Sequence, residues 1–215
     1  MSITIHSLTL GQLATNCIIL RDENSKEAII IDPADEAPRI LEKVNGYKVR
    51  EILLTHAHFD HVLASKPVKE ATGAPLRVHP HDAGMLEHTP EIAAMFGLRV
   101  PAAAKHDLLL QDGDIIQVGD IQLETRHTPG HSPGHVIFIL HSEKAVINGD
   151  CIFAGSIGRT DLPGSVHEEL VDSILHKILP IGDDYKLYTG HGPHTTIGQE
   201  KRHNPFIQQF LDHYA

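Results

Sequence analysis

Short apolar runs separated by turn residues recur along the whole chain and predict a protein rich in β-strands. The run Ala28–Ile31 is continuous and ends before Pro33, as is typical of a strand in a sheet that is covered on both faces. The predicted strands span residues 3–10, 16–21, 27–32, 51–55, 114–116, 121–125, 136–140, 144–147 and 185–189.

Apolar positions at helical spacing alternate with these strands. Leu170, Ile174 and Ile178 share one face of a predicted helix over 167–178. Strands and helices fill two comparable halves without a linker, so we predict a single α+β domain in which two sheets pack together with helices outside. Three other helices are predicted, over 35–44, 62–72 and 198–214. Asp35 is the predicted N-cap of the first, and Gly73 ends the second.

Residues 79–109 interrupt this alternation. Two short helices are predicted there, opening at His79–Asp82 and at Glu91–Phe96, and the remainder is irregular. Segments of this kind often form the rim of a site, so we predict a rim insert. Its histidines are expected to be solvated or rim residues and its large apolar side chains to serve in packing: His79, His81, His88 and His106, and Met85, Met95 and Phe96.

The composition restricts the range of partners. With 18 Lys and Arg against 28 Asp and Glu, the formal charge is −10 and there is no basic stripe, which argues against a nucleic-acid partner. No apolar run reaches the roughly 18 residues of a membrane span, and residues 1–6 do not resemble a signal peptide. Cys17 and Cys151 match no disulfide or metal framework. We therefore expect a cytoplasmic protein with a small-molecule substrate and no nucleic-acid or membrane partner, and a homodimer remains open.

Four potential metal ligands follow the apolar run Glu51–Leu54. A strand that ends here holds His56 and His58 on one side, because side chains repeat every two residues. Asp60 and His61 follow as the chain turns. Imidazole and carboxylate are ligands that zinc and iron accept, and this spacing predicts a metal site.

Three further ligand-type residues lie beside glycines in predicted turns: His131, Asp150 and His191. Glycine lets the backbone turn sharply and come close to a metal. Together with the first cluster they make seven ligands, which suffice for two adjacent ions. Asp150 is the predicted bridge, because a carboxylate has two oxygens and a neutral imidazole offers one free lone pair.

The order of these residues resembles the metallo-β-lactamase superfamily. The strings Thr128–His135 and Gly149–Asp150 are most similar to its glyoxalase II-like branch, the hydroxyacylglutathione hydrolases. The resemblance implies an αββα four-layer sandwich with the metals at one edge. It also implies that the first metal is held by His56, His58 and His131 and the second by Asp60, His61 and His191, with Asp150 between them.

By this resemblance the chain is a dinuclear hydrolase of thioesters such as S-2-hydroxyacylglutathione, with attack by a metal-bound hydroxide. Two ions roughly 3.5–4 Å apart can deprotonate a shared water, so Asp60 and Asp150 are the predicted catalytic residues through the ions they hold. Zinc is the first expectation, with iron or manganese as alternatives. A thiol of pKa near ~8.5 leaves without an acid, which favours a thioester because no dedicated acid is evident.

Supporting roles are predicted for residues around the ligands. Asp32 either steadies a ligand histidine or forms a turn before proline, and His135 is expected to be a supporting residue rather than an eighth ligand. The chain ends 215 − 191 = 24 residues after His191, which resembles short members of the branch without a helical glutathione-binding domain. The predicted substrate-binding residues are Arg159, Lys201 and Arg202.

Alternatives remain open at this point. The string Gly158–Asp161 resembles persulfide dioxygenases, which hold a single iron, although a structural pair between Arg159 and Asp161 explains it equally well. A promiscuous metallohydrolase of lactones or phosphodiesters and a nonenzymatic scaffold are the others.

Overall fold

Two six-stranded mixed sheets face each other in the computed structural model, which describes residues 2–214, with side chains for 2–212. The first sheet has the order β1-β2-β3-β4-β5-β6: Ile3–Leu10 (β1), Thr15–Asp22 (β2), Glu27–Ile31 (β3), Lys48–Leu53 (β4), Leu76–Val78 (β5) and Leu108–Leu109 (β6). The second has the order β14-β13-β10-β9-β8-β7: Ile115–Val118 (β7), Ile121–His127 (β8), Val136–Leu140 (β9), Ala145–Gly149 (β10), Lys186–Thr189 (β13) and Thr195–Thr196 (β14). Ile152–Phe153 (β11) and Ser156–Ile157 (β12) form a separate hairpin.

Seven α-helices accompany the strands in the described part of the chain. They are Ala37–Lys43 (α1), Ser65–Thr72 (α2), Pro80–Glu87 (α3), Thr89–Met95 (α4), His167–Asp172 (α5), Ile197–His203 (α6) and Pro205–Tyr214 (α7). A π-helical turn, Ser173–Ile178, continues α5, and 3-10 turns span Phe59–His61, His141–Glu143 and Leu179–Ile181. None of the helices in residues 2–214 has the length and apolar character needed to cross a membrane.

The buried side chains form three layers, as a four-layer sandwich requires. In β2, Ile18 and Leu20 point into the layer between the two sheets, and Ile19 points to the layer that holds α1 and α2. In β9, Val136, Phe138 and Leu140 join the inter-sheet layer, and Ile137 and Ile139 pack with α5 and α7. This alternation explains why both strands are apolar throughout. The predicted α+β sandwich with two mixed sheets is confirmed.

Several predicted element ends are wrong for local reasons. Helix α1 begins at Ala37 with Glu36 as its N-cap, and the Asp35 side chain accepts a hydrogen bond from the Glu36 N–H instead of capping the helix. The predicted helix 198–214 is two helices, because Asn204 precedes Pro205 and takes an extended conformation that ends α6.

The predicted rim segment 79–109 contains α3, α4 and β6. Asp82, Leu86 and Ala93 of this segment are buried. The segment therefore packs against the sandwich as well as bordering the edge where the candidate site lies.

Candidate metal centre

The predicted ligands gather at one edge of the sandwich, where strands of both sheets end. Asp32 follows β3 directly, Asp150 follows β10, and His191 lies two residues beyond β13. Strands β3 and β4 are parallel, as are β10 and β13, so their carboxyl ends meet at the same edge. His56 and His58 belong to a loop, since β4 already ends at Leu53. The prediction that a strand places these two side chains was therefore wrong.

Three histidines form the first group. His56, His58 and His131 present ring nitrogens that lie within 4.8 Å of one another. The His58 Nδ1 is 2.9 Å from the His131 Nε2, and the ring centroids of His56 and His58 are 4.7 Å apart. This arrangement offers three imidazole ligands to one ion.

A carboxylate and two histidines form the second group. Asp60, His61 and His191 also present ligand atoms within 4.8 Å of one another. The Asp60 Oδ2 is 3.1 Å from the His191 Nε2 and 3.6 Å from the His61 Nε2, and it accepts a hydrogen bond from the Thr15 hydroxyl.

Asp150 lies between the two groups. Its Oδ2 is 3.5 Å from the His131 Nε2 and 3.6 Å from the His191 Nε2, and its Oδ1 is 3.5 Å from the His61 Nε2. One carboxylate therefore borders both groups, as a bridging ligand must. The close approach depends on Gly190, where an added Cβ would lie 2.0 Å from the Asp150 Oδ1.

Hydrogen bonds to Nδ1 orient the ligand histidines. The Nδ1 atoms of His131 and His191 donate to the backbone oxygens of Arg159 (2.8 Å) and Leu13 (3.1 Å). The His61 Nδ1 donates to the Asp32 Oδ2 at 3.1 Å. A proton fixed on Nδ1 leaves the Nε2 lone pair free, so these three rings point a ligand atom into the centre.

Asp32 and Thr55 extend this support to His56. Asp32 accepts hydrogen bonds from the Thr55 N–H (2.7 Å) and hydroxyl (2.6 Å). The Thr55 hydroxyl donates its proton to Asp32. The His56 Nδ1 lies 3.0 Å from the Thr55 hydroxyl oxygen and therefore donates a hydrogen bond to it. Asp32, with φ of 52°, therefore supports two histidines of the centre, which makes it more than a turn residue.

His135 supports Asp150 from the other side. Its Nε2 accepts a hydrogen bond from the Asp150 N–H at 3.1 Å, and its Nδ1 is 2.9 Å from the Thr128 hydroxyl. Both ring nitrogens are engaged, so His135 positions the Asp150 backbone and offers no ligand atom. Cys151 is fully buried.

Burial and neighbouring charges shift the pKa values of the histidines of the centre in two opposite directions. Burial lowers the pKa of His58 to about 3, with a further decrease from His131, and burial also lowers that of His56. Against the effect of burial, Asp150 and Asp60 raise the pKa of His61 well above its ordinary value. The pKa of His191 is likewise raised against burial, by its hydrogen bond to Asp60.

The unpaired atoms of the centre fit metal ions. The His56 Nε2, the His61 Nε2 and the Asp150 Oδ1 are buried and have no hydrogen-bond partner among the described residues. Buried polar atoms without partners are costly to a folded protein. Divalent cations would satisfy all three atoms, and the imidazole and carboxylate donors suit zinc, iron or manganese.

Asp82 is a supporting residue that the sequence did not indicate. This buried carboxylate of α3 accepts hydrogen bonds from the Ala57 N–H (3.0 Å), the Ser132 hydroxyl (2.8 Å) and the Gly134 N–H (2.6 Å). Ala57 lies between His56 and His58, and Ser132 follows His131. Asp82 therefore joins the two loops that supply the first group.

The rim histidines differ from the prediction at one position. His79 is buried, with 7% of its surface exposed, and its ring stacks on that of His127. Burial and the neighbouring His127 and His81 lower the pKa of His79 to about 4. His81 and His88 are exposed as expected, and His106 is half-buried.

A cavity of about 790 Å³ opens above the centre. His58, Asp60, His131, Asp150 and His191 form part of its floor, and its wall is largely apolar. Three large apolar side chains of the rim line this wall, Met85, Met95 and Phe96, and Met85 also packs against the core as predicted.

The predicted substrate-binding residues are separated by the structure. Arg159 lines the cavity, with its guanidinium paired to Asp161 at 2.6 and 2.7 Å. Lys201 and Arg202 instead contact Asp183 and are absent from the cavity lining. The structure thus brings one of the three predicted cations to the site.

Comparisons with known proteins agree with this geometry. Residues 10–191 match the metallo-beta-lactamase superfamily, and this range contains all seven residues of the centre. The chain is 40% identical over 211 residues to hydroxyacylglutathione hydrolase GloC of Haemophilus influenzae, covering 96% of this chain and 98% of that protein.

Two solved structures are similar over nearly their full length. The crystal structure of BLEG-1 B3 metallo-beta-lactamase has a TM-score of 0.89 and 37% identity, covering 95% of this chain and 99% of that one. The structure of TTHA1623 in a di-iron-bound form has a TM-score of 0.84 and 38% identity, covering 94% and 99%.

Proposed function

The chain belongs to the metallo-beta-lactamase superfamily, and from that premise we propose that it is a dinuclear metal-dependent hydrolase of thioesters, including S-2-hydroxyacylglutathione. The observation that carries the proposal is the position of Asp150, within 3.6 Å of ligand nitrogens from both groups. A complete second group at Asp60, His61 and His191 supports two ions rather than one. The di-iron-bound relative supports two ions and makes iron an alternative to zinc.

The proposed ligands fall into two sets, one for each ion. His56, His58 and His131 would hold one ion and Asp60, His61 and His191 the other, with Asp150 shared. When bound, the ions supply Lewis acidity toward a carbonyl and lower the pKa of water.

The chain itself provides orientation around that chemistry. Asp32, Thr55 and two backbone oxygens keep the Nε2 atoms of the ligand histidines aimed inward. The largely apolar wall of the cavity would limit the contact of a bound ester with bulk water, which strengthens the electrostatic interactions within the site.

The leaving group favours a thioester. A thiol with a pKa near ~8.5 departs as thiolate without a proton donor, whereas an alkoxide or amine needs one. The ionisable side chains at the cavity floor are the proposed ligands and Arg159. With the ions bound, each of these ligands is engaged, and Arg159 is paired with Asp161. We propose that Arg159 meets a substrate carboxylate at the rim, and we leave Lys201 and Arg202 out of the site.

Thiol release from S-lactoylglutathione by metal-analysed protein tests the proposal. The wild type should release thiol with two ions per catalytic centre, and Asp150→Ala should lose the activity because it removes the shared ligand. A β-lactam in parallel separates thioesterase from lactamase activity. Negligible thiol release with one iron at the centre, together with oxygen consumption on glutathione persulfide, would replace the hydrolase by a dioxygenase.

A further inference from the structure

A second cluster of histidines lies outside the catalytic centre. His79 follows β5 and precedes α3, His81 lies in the first turn of α3, and His127 is the last residue of β8. Their ring nitrogens lie within 4.8 Å of one another, the same limit that both groups of the catalytic centre meet. We call these three residues the His79 cluster.

The spacing of the rings is comparable to that of a catalytic group. In the His79 cluster the ring centroids are 4.2, 4.9 and 5.9 Å apart. In the group of His56, His58 and His131 they are 4.7, 4.9 and 4.5 Å apart. The two larger distances both involve His81, whose side chain is exposed.

Two of the rings are held in place before any ligand binds. His127 donates through Nε2 to the Pro133 oxygen at 2.9 Å, which leaves the Nδ1 lone pair free. His79 is buried beneath the His127 ring, 11° from parallel with it. Its Nδ1 accepts the N-cap hydrogen bond of α3 from the His81 N–H at 3.4 Å, a long hydrogen bond that a metal ion on this atom would replace.

The surroundings also suit a cation. The Asp112 carboxylate accepts a hydrogen bond from the His127 N–H at 2.7 Å, which brings a negative charge to the border of the cluster. The chain as a whole carries a formal charge of −10. Three imidazoles are a donor set that suits zinc, copper or nickel rather than calcium or magnesium.

We propose that His79, His81 and His127 form a third metal site, separate from the catalytic centre, which takes a late first-row divalent ion such as Zn²⁺. The site joins the two sheets, because β5 belongs to the first sheet and β8 to the second. It also fixes the start of α3, the helix that carries Asp82 to the loops of His58 and His131. The third ion would therefore have a structural role, because it would hold the two sheets and the start of α3 together next to the catalytic centre. The proposal stands independently of the substrate.

Zinc counting by equilibrium dialysis tests the site. Metal-free full-length protein is dialysed against zinc at neutral pH, and bound zinc per chain is measured by elemental analysis. His81→Ala is the main variant, because its side chain is exposed and its loss should leave the fold intact. His88→Ala is the matched control, since it is an exposed histidine at the other end of the same helix.

The expected result is one zinc fewer per chain in His81→Ala and in His127→Ala, and no loss in His88→Ala. The double variant Asp150→Ala/His81→Ala should likewise bind one zinc fewer per chain than Asp150→Ala. This difference does not depend on how many zinc ions the catalytic centre of Asp150→Ala retains. An equal zinc count in the wild type and His81→Ala would overturn the third site. That result would leave the proposed hydrolase untouched.

Discussion

The histidines of the catalytic centre depend on oxygen atoms that are distant in sequence. His61 is held by Asp32, His131 by the Arg159 oxygen and His191 by the Leu13 oxygen. In the neutral ring, each of these hydrogen bonds selects the tautomer whose Nε2 is free. The ligand types could be predicted from the sequence because they cluster in recognisable strings. Their tautomers could not, because the partner oxygens lie 28 to 178 residues away.

Metal binding should release protons at neutral pH. Asp150 and Asp60 raise the pKa of His61 well above its ordinary value, and Asp60 raises that of His191. The metal-free protein therefore holds protons on these rings below their raised pKa values. An ion must displace the protons, so its affinity should rise with pH.

Calorimetric titration of metal-free protein with zinc, in two buffers of different ionisation enthalpy, measures this release. The apparent binding enthalpy should differ between the buffers, in the direction of protons leaving the protein. Identical enthalpies at neutral pH would contradict the raised pKa of His61.

At the scale of elements, Asp82 connects α3 to the loops that carry the ligands. Asp82 accepts three hydrogen bonds from the loops after β4 and β8. The carboxylate thus couples the predicted rim segment to the ligands His58 and His131. Nothing in the string His79–Asp82 marks this role, because the three donors come from other parts of the chain.

The substitution Asp82→Asn should weaken both the fold and the catalysis. An amide has a single acceptor oxygen, so at least one of three buried donors loses its partner, at a cost of about 2 kcal/mol. Displacement of the first group should lower thiol release by roughly tenfold or more, since misplacement by about 1 Å can cost ~10²-fold. Thermal unfolding and the turnover rate measure the two effects. The substitution Glu87→Gln, at an exposed residue at the end of α3, is the control. Wild-type stability and turnover in Asp82→Asn would show that the hydrogen bonds of Asp82 are dispensable.

Some elements could be predicted from sequence and others could not, for identifiable reasons. Strand β9, Val136–Leu140, was predicted with its observed ends because it is continuously apolar between polar loops. Strands of two residues, such as β11 and β14, carry no periodicity and were missed. The break between α6 and α7 was missed although Pro205 marks it, because a proline disfavours the helical conformation of the residue before it.

At the scale of the whole molecule, the metal centre joins the two sheets at one edge. The residues from His56 to His61 lie after β4 of the first sheet. The other three ligands lie after strands of the second sheet: His131 after β8, Asp150 after β10 and His191 after β13. The fold class could be predicted from the alternation of strands and helices. The cavity wall could not, because it depends on how α4 and the following chain lie against the centre.

Removal of the metals should therefore lower the thermal stability of the whole domain. An ion present at 1,000 times its Kd stabilises the folded state by about 4 kcal/mol. One kcal/mol corresponds to roughly 2–4 °C in a domain of this size, so chelation should lower the Tm by on the order of 10 °C. Scanning calorimetry with and without chelator measures the shift, and Asp150→Ala should show a smaller one. An unchanged Tm in wild-type protein would mean that the centre does not bind ions tightly.

The proposed dinuclear centre requires that two ions share Asp150. Diffraction from zinc-loaded crystals at wavelengths on either side of the zinc absorption edge locates each ion directly. We expect two anomalous peaks at the catalytic edge, both about 2.0–2.2 Å from an oxygen of Asp150. One peak would lie beside His56, His58 and His131, and the other beside Asp60, His61 and His191. A single peak at this edge, or two peaks of which only one contacts Asp150, would contradict the dinuclear centre.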